Sequence, residues 1–408
     1  MNFGLLGRHL GHSFSPRIHS MLGSYPYSLF EIEPNNLERF ITSGEYSGLN
    51  VTMPYKKSAI PYLDRLTPEA KKLGAVNTIL RQTDGSLLGH NTDYFGFRSM
   101  LHRCNITVSG KKALVLGSGG ASNTVSAVLN AEGADVVIIS RSGNNHYGNL
   151  DQHKDTAIIV NTTPVGMYPE TGVSPISLDL FPHLEAVLDV IYNPFRTRLL
   201  IEAEKRGLIT ENGLWMLIAQ AKEAAECFTG KAISDAVISQ IYSRLTSELK
   251  NIIFIGMPGC GKTTIATHVA AALGRPMVDL DAAVINLAGK SIPEIFSEDG
   301  EEKFRKLETA VLEKYGKESG IVIATGGGSV TQPENYFHLH QNGIIIWLTR
   351  ALSKLPTDGR PLSQANKIEN MYAVRKPMYE YFSNYIVSND RSIEETVQAV
   401  LSYCRKQP

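Results

Sequence analysis

The segment Gly256-Met-Pro-Gly-Cys-Gly-Lys-Thr263 constrains this chain more than any other. It fits Gly-x-x-x-x-Gly-Lys-Ser/Thr and sits between an apolar run, residues 251–256 (NIIFIG), and a helical pattern over residues 264–273. A strand that enters such a turn and leaves as a helix is built to hold phosphate. Glycines let backbone N–H groups wrap the anion, and the helix N-terminus adds its positive dipole. Lys262 then reaches the transferring phosphate, and Thr263 supplies a hydroxyl to Mg²⁺. Gly259, Cys260, Gly261 and Thr264 complete the loop wall. A glycine turn with a purely structural role is the alternative. The motif specifies a nucleotide and leaves the acceptor open.

A second strand, residues 111–117 (KKALVLG), runs into Gly117-Ser-Gly-Gly-Ala-Ser122 and another helical pattern. This is a dinucleotide turn in its proper setting, with Gly117, Gly119, Gly120 and Ala121 facing the pyrophosphate. Ser122 stands where Gly or Ala is usual, so a structural turn remains open. Short β-branched runs alternate with helical patterns elsewhere, at residues 134–140, 156–161, 186–191, 320–325 and 343–348. Such alternation predicts parallel sheets covered by helices on both faces. With 408 residues and two nucleotide turns, two α/β modules are expected. Residues 231–245 read as the last amphipathic helix of the first module, and the boundary is placed near residue 248.

The strand after the dinucleotide turn ends at Ser140-Arg141-Ser142. An acidic residue there would hold a ribose 2′-hydroxyl, whereas a cation with hydroxyls suits a 2′-phosphate, hence NADPH. A plain surface arginine is the alternative. Only about fifteen residues separate Arg141 from the next strand, short for the usual helix-and-strand unit. The first hundred residues hold polar clusters at the ends of apolar runs, and among them Lys56 and Asp93 suit a ketone reduction. An ammonium stabilises and protonates a developing alkoxide, and a carboxylate keeps it charged and oriented. By spacing alone Lys56 reads as a surface charge.

In the last third, VDLD places Asp279 and Asp281 on one side of an extended chain, beside the phosphate loop if the sheet is parallel. One carboxylate can join a Mg²⁺ shell and the other can take a hydroxyl proton; capping of the next helix is the alternative. Arg305, Arg360 and Arg375 are available to hold an acidic acceptor. For Glu308 an ordinary surface carboxylate is the alternative to a part in this set. Forty basic and forty acidic residues cancel, which argues against nucleic acid or an anionic membrane as partner. Four scattered cysteines, no leader pattern and no long apolar run suggest a reducing cytoplasmic setting.

Residues 250–408 resemble shikimate kinases. The phosphate loop, DxD, SIxEIF, GExxFRxxE, GGG, GRPL and RxPxY follow in that family's order. The resemblance implies ATP and Mg²⁺, with Asp281 as substrate ligand and base and Asp279 in the magnesium shell. It implies Arg305 and Arg375 on the substrate carboxylate, Gly326, Gly327 and Gly328 under the ring, and Arg360 on a lid. The lid, residues 349–363, is short, and Ser363 stands where many relatives have Leu.

Residues 1–245 resemble shikimate dehydrogenases through HSFSPRIH, GLNVTMPYK, GAVNTI, NTDYFGF, GSGGAS, NTTPVGM, YNPFRT and NGLWMLIAQAKEAAECFTG. The resemblance implies a substrate domain, about 1–103 with the C-terminal helices, and a Rossmann-like NADP domain, about 104–212. Ser13, Ser15, Thr52, Asn77, Tyr192 and Gln220 would contact the substrate, with Lys56 and Asp93 as the catalytic pair. Met216 would line the nicotinamide, and Thr162, Ser140 and Arg141 would hold the cofactor. The small-molecule substrates implied are 3-dehydroshikimate and shikimate. A regulator that binds such ligands without turnover, or a dehydrogenase half using quinate or NAD, are the alternatives.

Overall fold

The computed structural model describes residues 2–11, 13–355 and 368–405. Three sheets appear in chain order. The first contains β1 (Phe3–Gly7), β2 (Tyr27–Glu31), β3 (Gly48–Val51), β4 (Arg65–Leu66), β5 (Thr78–Arg81) and β6 (Leu87–His90), ordered β2-β1-β3-β5-β6-β4. Expectation and structure part at β5, which pairs antiparallel with both β3 and β6. The reason is a tight hairpin at Asp84-Gly85: Gln82 N–H donates to Ser86 O, and Asp84 Oδ1 accepts from Ser86 N–H. Gly85 takes φ +85°, where a side chain is disfavoured. An Asp-Gly pair between apolar runs carries that signal.

The pairings put one edge of this sheet to use. β1, β3 and β6 end there and the reversed β5 begins there. Residues after β1, β3 and β6, and just before β5, therefore share that edge.

The second sheet is parallel throughout: β7 (Lys112–Leu116), β8 (Asp135–Ile139), β9 (Ile158–Asn161), β10 (Ala186–Asp189) and β11 (Ile209–Glu211), ordered β11-β10-β9-β7-β8. The chain leaves β7 with one neighbour added on each side, so a crevice opens at its carboxyl end. Leu114, Val115, Val125, Val128 and Leu129 are fully buried behind it. Each such side chain contributes roughly 1.5–3 kcal/mol on burial. Between β8 and β9 lies only a short 3₁₀ turn, Leu150–His153, in line with the short spacing in the sequence.

The third sheet is also parallel: β12 (Asn251–Ile255), β13 (Met277–Asp279), β14 (Val322–Ala324), β15 (Gly343–Thr349) and β16 (Tyr385–Ser388), ordered β13-β14-β12-β15-β16. Its core runs through Ile253, Phe254, Ile265, Val269, Ile345 and Leu348.

The chain divides into two compact units. One holds Met1–Val165, Ser174–Tyr192 and Glu202–Tyr242; the other holds Gly166–Val173, Asn193–Ile201 and Ser243–Pro408. Two short segments of the first half thus belong to the second unit. Within that unit Phe195 N–H donates to Asn342 Oδ1 and Arg196 N–H donates to Gln341 O. Residues 246–250 (TSELK), where the boundary was placed, are not a linker. They end a helix, Ala236–Leu249, whose buried stripe Ile238, Ile241, Tyr242 and Leu245 keeps helical spacing throughout. Residues 231–235, expected to begin that helix, stand outside it. Among the described residues no helix is long and apolar enough to cross a membrane.

Candidate active sites

In the first unit, the common edge of the first sheet gathers the polar residues. Lys56 lies in a one-turn helix, Tyr55–Ser58, just past β3, and its carbonyl accepts from Val76 N–H. Asp93 opens the helix Asp93–Arg103 just past β6. Their side chains meet, with Lys56 Nζ at 2.6 Å from Asp93 Oδ2. Asn77, just before β5, donates Nδ2 to Asp93 Oδ1 at 3.0 Å and to Thr92 Oγ1 at 2.9 Å. Gln220 joins from the helix Leu214–Thr229, with Oε1 at 3.3 Å from Asn77 Nδ2. Gly96 makes that approach possible. A β-carbon there would lie 2.8 Å from the Met216 carbonyl and 2.9 Å from Gln220 Cβ.

The loop after β1 brings Ser13 and Ser15 together, Ser15 N–H donating to Ser13 Oγ at 3.2 Å. Tyr192, past β10, sets its ring 5.4 Å from that of Phe14 between them. Burial pushes the Tyr192 phenol above its ordinary value, so it stays a neutral donor. Thr52 lies beside Gly7 at the end of β1. The sequence-predicted substrate residues of this half thus share one edge and its facing loops.

The dinucleotide turn occupies the carboxyl end of β7. The helix Gly120–Ala131 starts at Gly119 with no side-chain cap, so its first N–H groups lack an intrahelical partner. A β-carbon on Gly119 or Gly120 would meet nothing within 4 Å, and Gly117 packs against Thr162 and Thr163. An open, uncapped helix N-terminus of this kind fits a pyrophosphate. Thr162 donates to Leu116 O at 2.6 Å, which ties the β7 and β9 ends together. Met216 is buried on the helix beside Gln220. Arg141 is exposed, and its charge favours ionisation of the Tyr147 phenol, which burial opposes. Ser140 is engaged with the Ser142 carbonyl.

In the second unit, the phosphate loop follows β12. The helix Lys262–Leu273 begins at Gly261, φ +97°, again with no side-chain cap. Lys262 Nζ donates back to Gly256 O at 2.9 Å and Met257 O at 3.1 Å, contacts that a phosphate would replace. Asn389, past β16, braces the loop by donating Nδ2 to Cys260 O at 2.8 Å. No sequence motif pointed to Asn389.

Asp279 and Asp281 need a correction. They do not both ride an extended strand: β13 stops at Asp279, and Asp281 lies in the first turn of the helix Leu280–Ala288. Asp279 caps that helix through Oδ1, which accepts from Asp281 and Ala282 N–H. Its Oδ2 accepts from Thr263 Oγ1 at 2.7 Å. A hydroxyl and a carboxylate oxygen side by side at a phosphate loop fit Mg²⁺, a hard cation that takes its other ligands from phosphate and water.

Asp281 is exposed to solvent, with Gly326 close to its Oδ1. Crowding by protein atoms pushes its carboxyl up to about 6. The Lys262 ammonium opposes that shift, and Glu308 and Asp279 add to it. Glu308, for which a surface carboxylate was the alternative, is only 1% exposed. It binds Arg305 Nη1 at 2.7 Å and accepts from Ser329 Oγ at 2.7 Å. Its spacing three residues after Arg305 on one helix face was the available signal.

The glycine triplet lies flush under this cluster. A β-carbon on Gly326 would strike Glu308 and crowd Asp281 Oδ1 at 2.9 Å; one on Gly327 would meet Pro258 Cδ at 2.7 Å; one on Gly328 would strike the Arg305 guanidinium. Arg375 Nη1 and Tyr379 OH both donate to Gly327 O, at 3.2 and 2.5 Å. Arg305 and Arg375 therefore converge on one glycine strip beside Asp281. Arg360 and Ser363 lie outside the described residues.

Two known families match these two sites. A model of the shikimate dehydrogenase substrate binding domain matches residues 5–79. A shikimate dehydrogenase (NADP(+)) of Clostridium perfringens is 35% identical over 265 residues, 60% of this chain and 97% of that protein. The chain belongs to the shikimate dehydrogenase family. A shikimate kinase model matches residues 258–405, so the family's dehydrogenase part is joined here to a kinase domain. Among solved structures, shikimate dehydrogenase 1 from Peptoclostridium difficile is 38% identical with TM-score 0.55, covering 60% of this chain and 97% of that one. A chorismate mutase/shikimate 5-dehydrogenase fusion protein from Clostridium acetobutylicum is 34% identical with TM-score 0.56, covering 60% and 96%. The chain is a bifunctional shikimate-pathway enzyme, an NADP-dependent shikimate dehydrogenase joined to an ATP-using shikimate kinase.

Proposed function

We propose that the first half reduces the C3 ketone of 3-dehydroshikimate to shikimate, and that the second half phosphorylates the C3 hydroxyl so formed. The observation that carries the reading is the meeting of Lys56, Asp93, Asn77 and Gln220 at one sheet edge. Bound NADPH supplies the hydride. Lys56 stabilises the developing alkoxide and gives it a proton, while Asp93 holds the ammonium charged and aimed. Ser13, Ser15, Thr52 and Tyr192 hold the substrate's carboxylate and hydroxyls. Thr162, Arg141, Met216 and the Gly117–Ala121 turn seat the cofactor. Residues 1–103 with the C-terminal helices form the substrate domain, 104–212 the cofactor domain and 249–408 the kinase.

In the kinase half, Gly259, Cys260, Gly261, Lys262 and Thr264 enclose the ATP phosphates. Thr263 and Asp279 hold Mg²⁺. Arg305 and Arg375, helped by Arg360, grip the shikimate carboxylate over Gly327 and Gly328. Asp281 takes the hydroxyl proton. Two assays on the full chain test the reading: NADPH oxidation with 3-dehydroshikimate, and phosphorylation of shikimate by Mg·ATP. Activity with quinate and NAD⁺ alone, or neither reaction, would overturn it.

Two results are expected here. Arg141 should favour a 2′-phosphate by roughly 1.5–3 kcal/mol through a charge-assisted bond. Arg141→Ala should therefore raise KM for NADPH about tenfold or more and leave NADH use nearly unchanged. Equal losses with both cofactors would make Arg141 structural. The second concerns pH. A base must be ionised to act, and the Asp281 carboxyl is pushed up to about 6. The kinase rate should fall as pH drops through about 6, well above the ordinary carboxylate range. A rate that holds flat down to the ordinary range would remove Asp281 as base.

A further inference from the structure

A file of polar side chains runs from β2 past β1 to β3 and β5 and ends on the Lys56–Asp93 pair. The Tyr27 hydroxyl, on β2, donates to Asn50 Oδ1 on β3 at 2.7 Å. Asn50 Nδ2 donates to Thr78 Oγ1 at 3.3 Å, its direct partner in the β3–β5 register. The Thr78 hydroxyl donates to Asn77 Oδ1 at 3.2 Å. Asn77 Nδ2 then donates to Asp93 Oδ1, and Asp93 Oδ2 holds Lys56. Asn50, Asn77, Thr78 and Asp93 are each no more than 8% exposed. Water cannot readily stand in for a missing partner at such sites.

The donors all point one way, and one contact fixes the direction. Thr92 N–H can only donate, and it lies 2.7 Å from Asn77 Oδ1. Asn77 must therefore turn its NH₂ toward Asp93. A flipped amide would set a carbonyl oxygen against the carboxylate and leave Thr92 N–H without an acceptor. Thr78 has one proton. Asn77 Oδ1 can only accept, so that proton goes to it; Thr78 Oγ1 accepts from Asn50 Nδ2, and Tyr27, donating to Asn50 Oδ1, holds that amide in the matching orientation.

We infer that Thr78, set by Asn50 and Tyr27, is a positioning residue for the reduction: its hydroxyl is the second donor, beside Thr92 N–H, that holds the Asn77 amide aiming Asp93, and through Asp93 the Lys56 ammonium. This rests on the reading of Lys56 as proton donor to the alkoxide. Thr78 contributes through other side chains, so its signature is a coupled loss of turnover with binding retained.

The full chain tests it. Thr78→Val keeps the shape and removes the hydroxyl; Thr78→Ser keeps the hydroxyl. With 3-dehydroshikimate and NADPH, Thr78→Val should lose kcat roughly tenfold, the size of one unmade buried hydrogen bond, with KM within about twofold. Thr78→Ser should recover most of the loss, and shikimate phosphorylation should be unchanged in both. Placed on Asp93→Asn, the Val substitution should cost less than about twofold more, because the group it aims is already altered. Should Thr78→Val fail to fold, Tyr27→Phe carries the same test at a half-buried position, with a smaller kcat loss that vanishes on Asp93→Asn. Parental kcat in Thr78→Val or in Tyr27→Phe, an equal loss in Thr78→Ser, or a full loss on top of Asp93→Asn would each overturn the inference. An unmutated chain that does not oxidise NADPH with 3-dehydroshikimate would instead refute the proposed function.

Discussion

Lys56→Ala is expected to lower NADPH oxidation with 3-dehydroshikimate by about 10²–10⁴, the usual weight of a positioned acid or base, while phosphorylation of shikimate continues at its parental rate. Lys56 Nζ is the only ammonium that the described residues place on Asp93, at 2.6 Å. Its removal takes away both the proton and the positive charge that a developing alkoxide needs. It also leaves Asp93, mostly buried, without its counter-charge. The kinase reaction reports on the second unit alone, since the described phosphate-loop contacts have no member in the first sheet, so folding of the first unit is checked by retained NADPH binding. Loss of both activities in a folded protein would refute the assignment of separate sites.

Asp281→Asn should reduce kinase turnover by a similar order, about 10²–10⁴, with ATP binding retained. Asparagine keeps the size of the side chain but cannot accept the hydroxyl proton. In the proposed site ATP would be held by the loop after β12 and by Thr263 and Asp279, whose contacts do not use the Asp281 side chain. Near-parental kcat in this variant would leave Asp281 as a substrate anchor only. A companion change, Glu308→Gln, would probe the ion pair that seats Arg305 rather than the proton transfer itself.

The two glycine turns were legible because each depends on local sequence: a β-branched strand, a turn that needs glycine and a helix start. The strands behind them followed for the same reason. What depended on distant partners was not legible. Asp281 read as part of a strand because VDLD alternates, yet Asp279 stops β13 by capping the next helix. For Glu308 a surface carboxylate stayed open, since its helix carries charges of both signs; only the fold sets it against Ser329 and Gly326. Asn389 carries no motif, and its bond to Cys260 spans 129 residues. The order Tyr27, Asn50, Thr78, Asn77 is invisible along the chain because it exists only once β2, β3 and β5 are in register. The Lys56–Asp93 pair, by contrast, was reachable from chemistry together with family resemblance, although spacing alone left Lys56 a surface charge.

One measurement tests the central claim that consecutive reactions are carried out by one chain. The purified full chain is given 3-dehydroshikimate, NADPH deuterated on the transferring position and Mg·ATP, and the products are read by mass spectrometry and NMR. The account predicts shikimate 3-phosphate carrying one deuterium on C3 and the phosphate on the oxygen of that same carbon. Deuterated shikimate that is never phosphorylated, phosphate on another hydroxyl, or no deuterium transfer at all would contradict it.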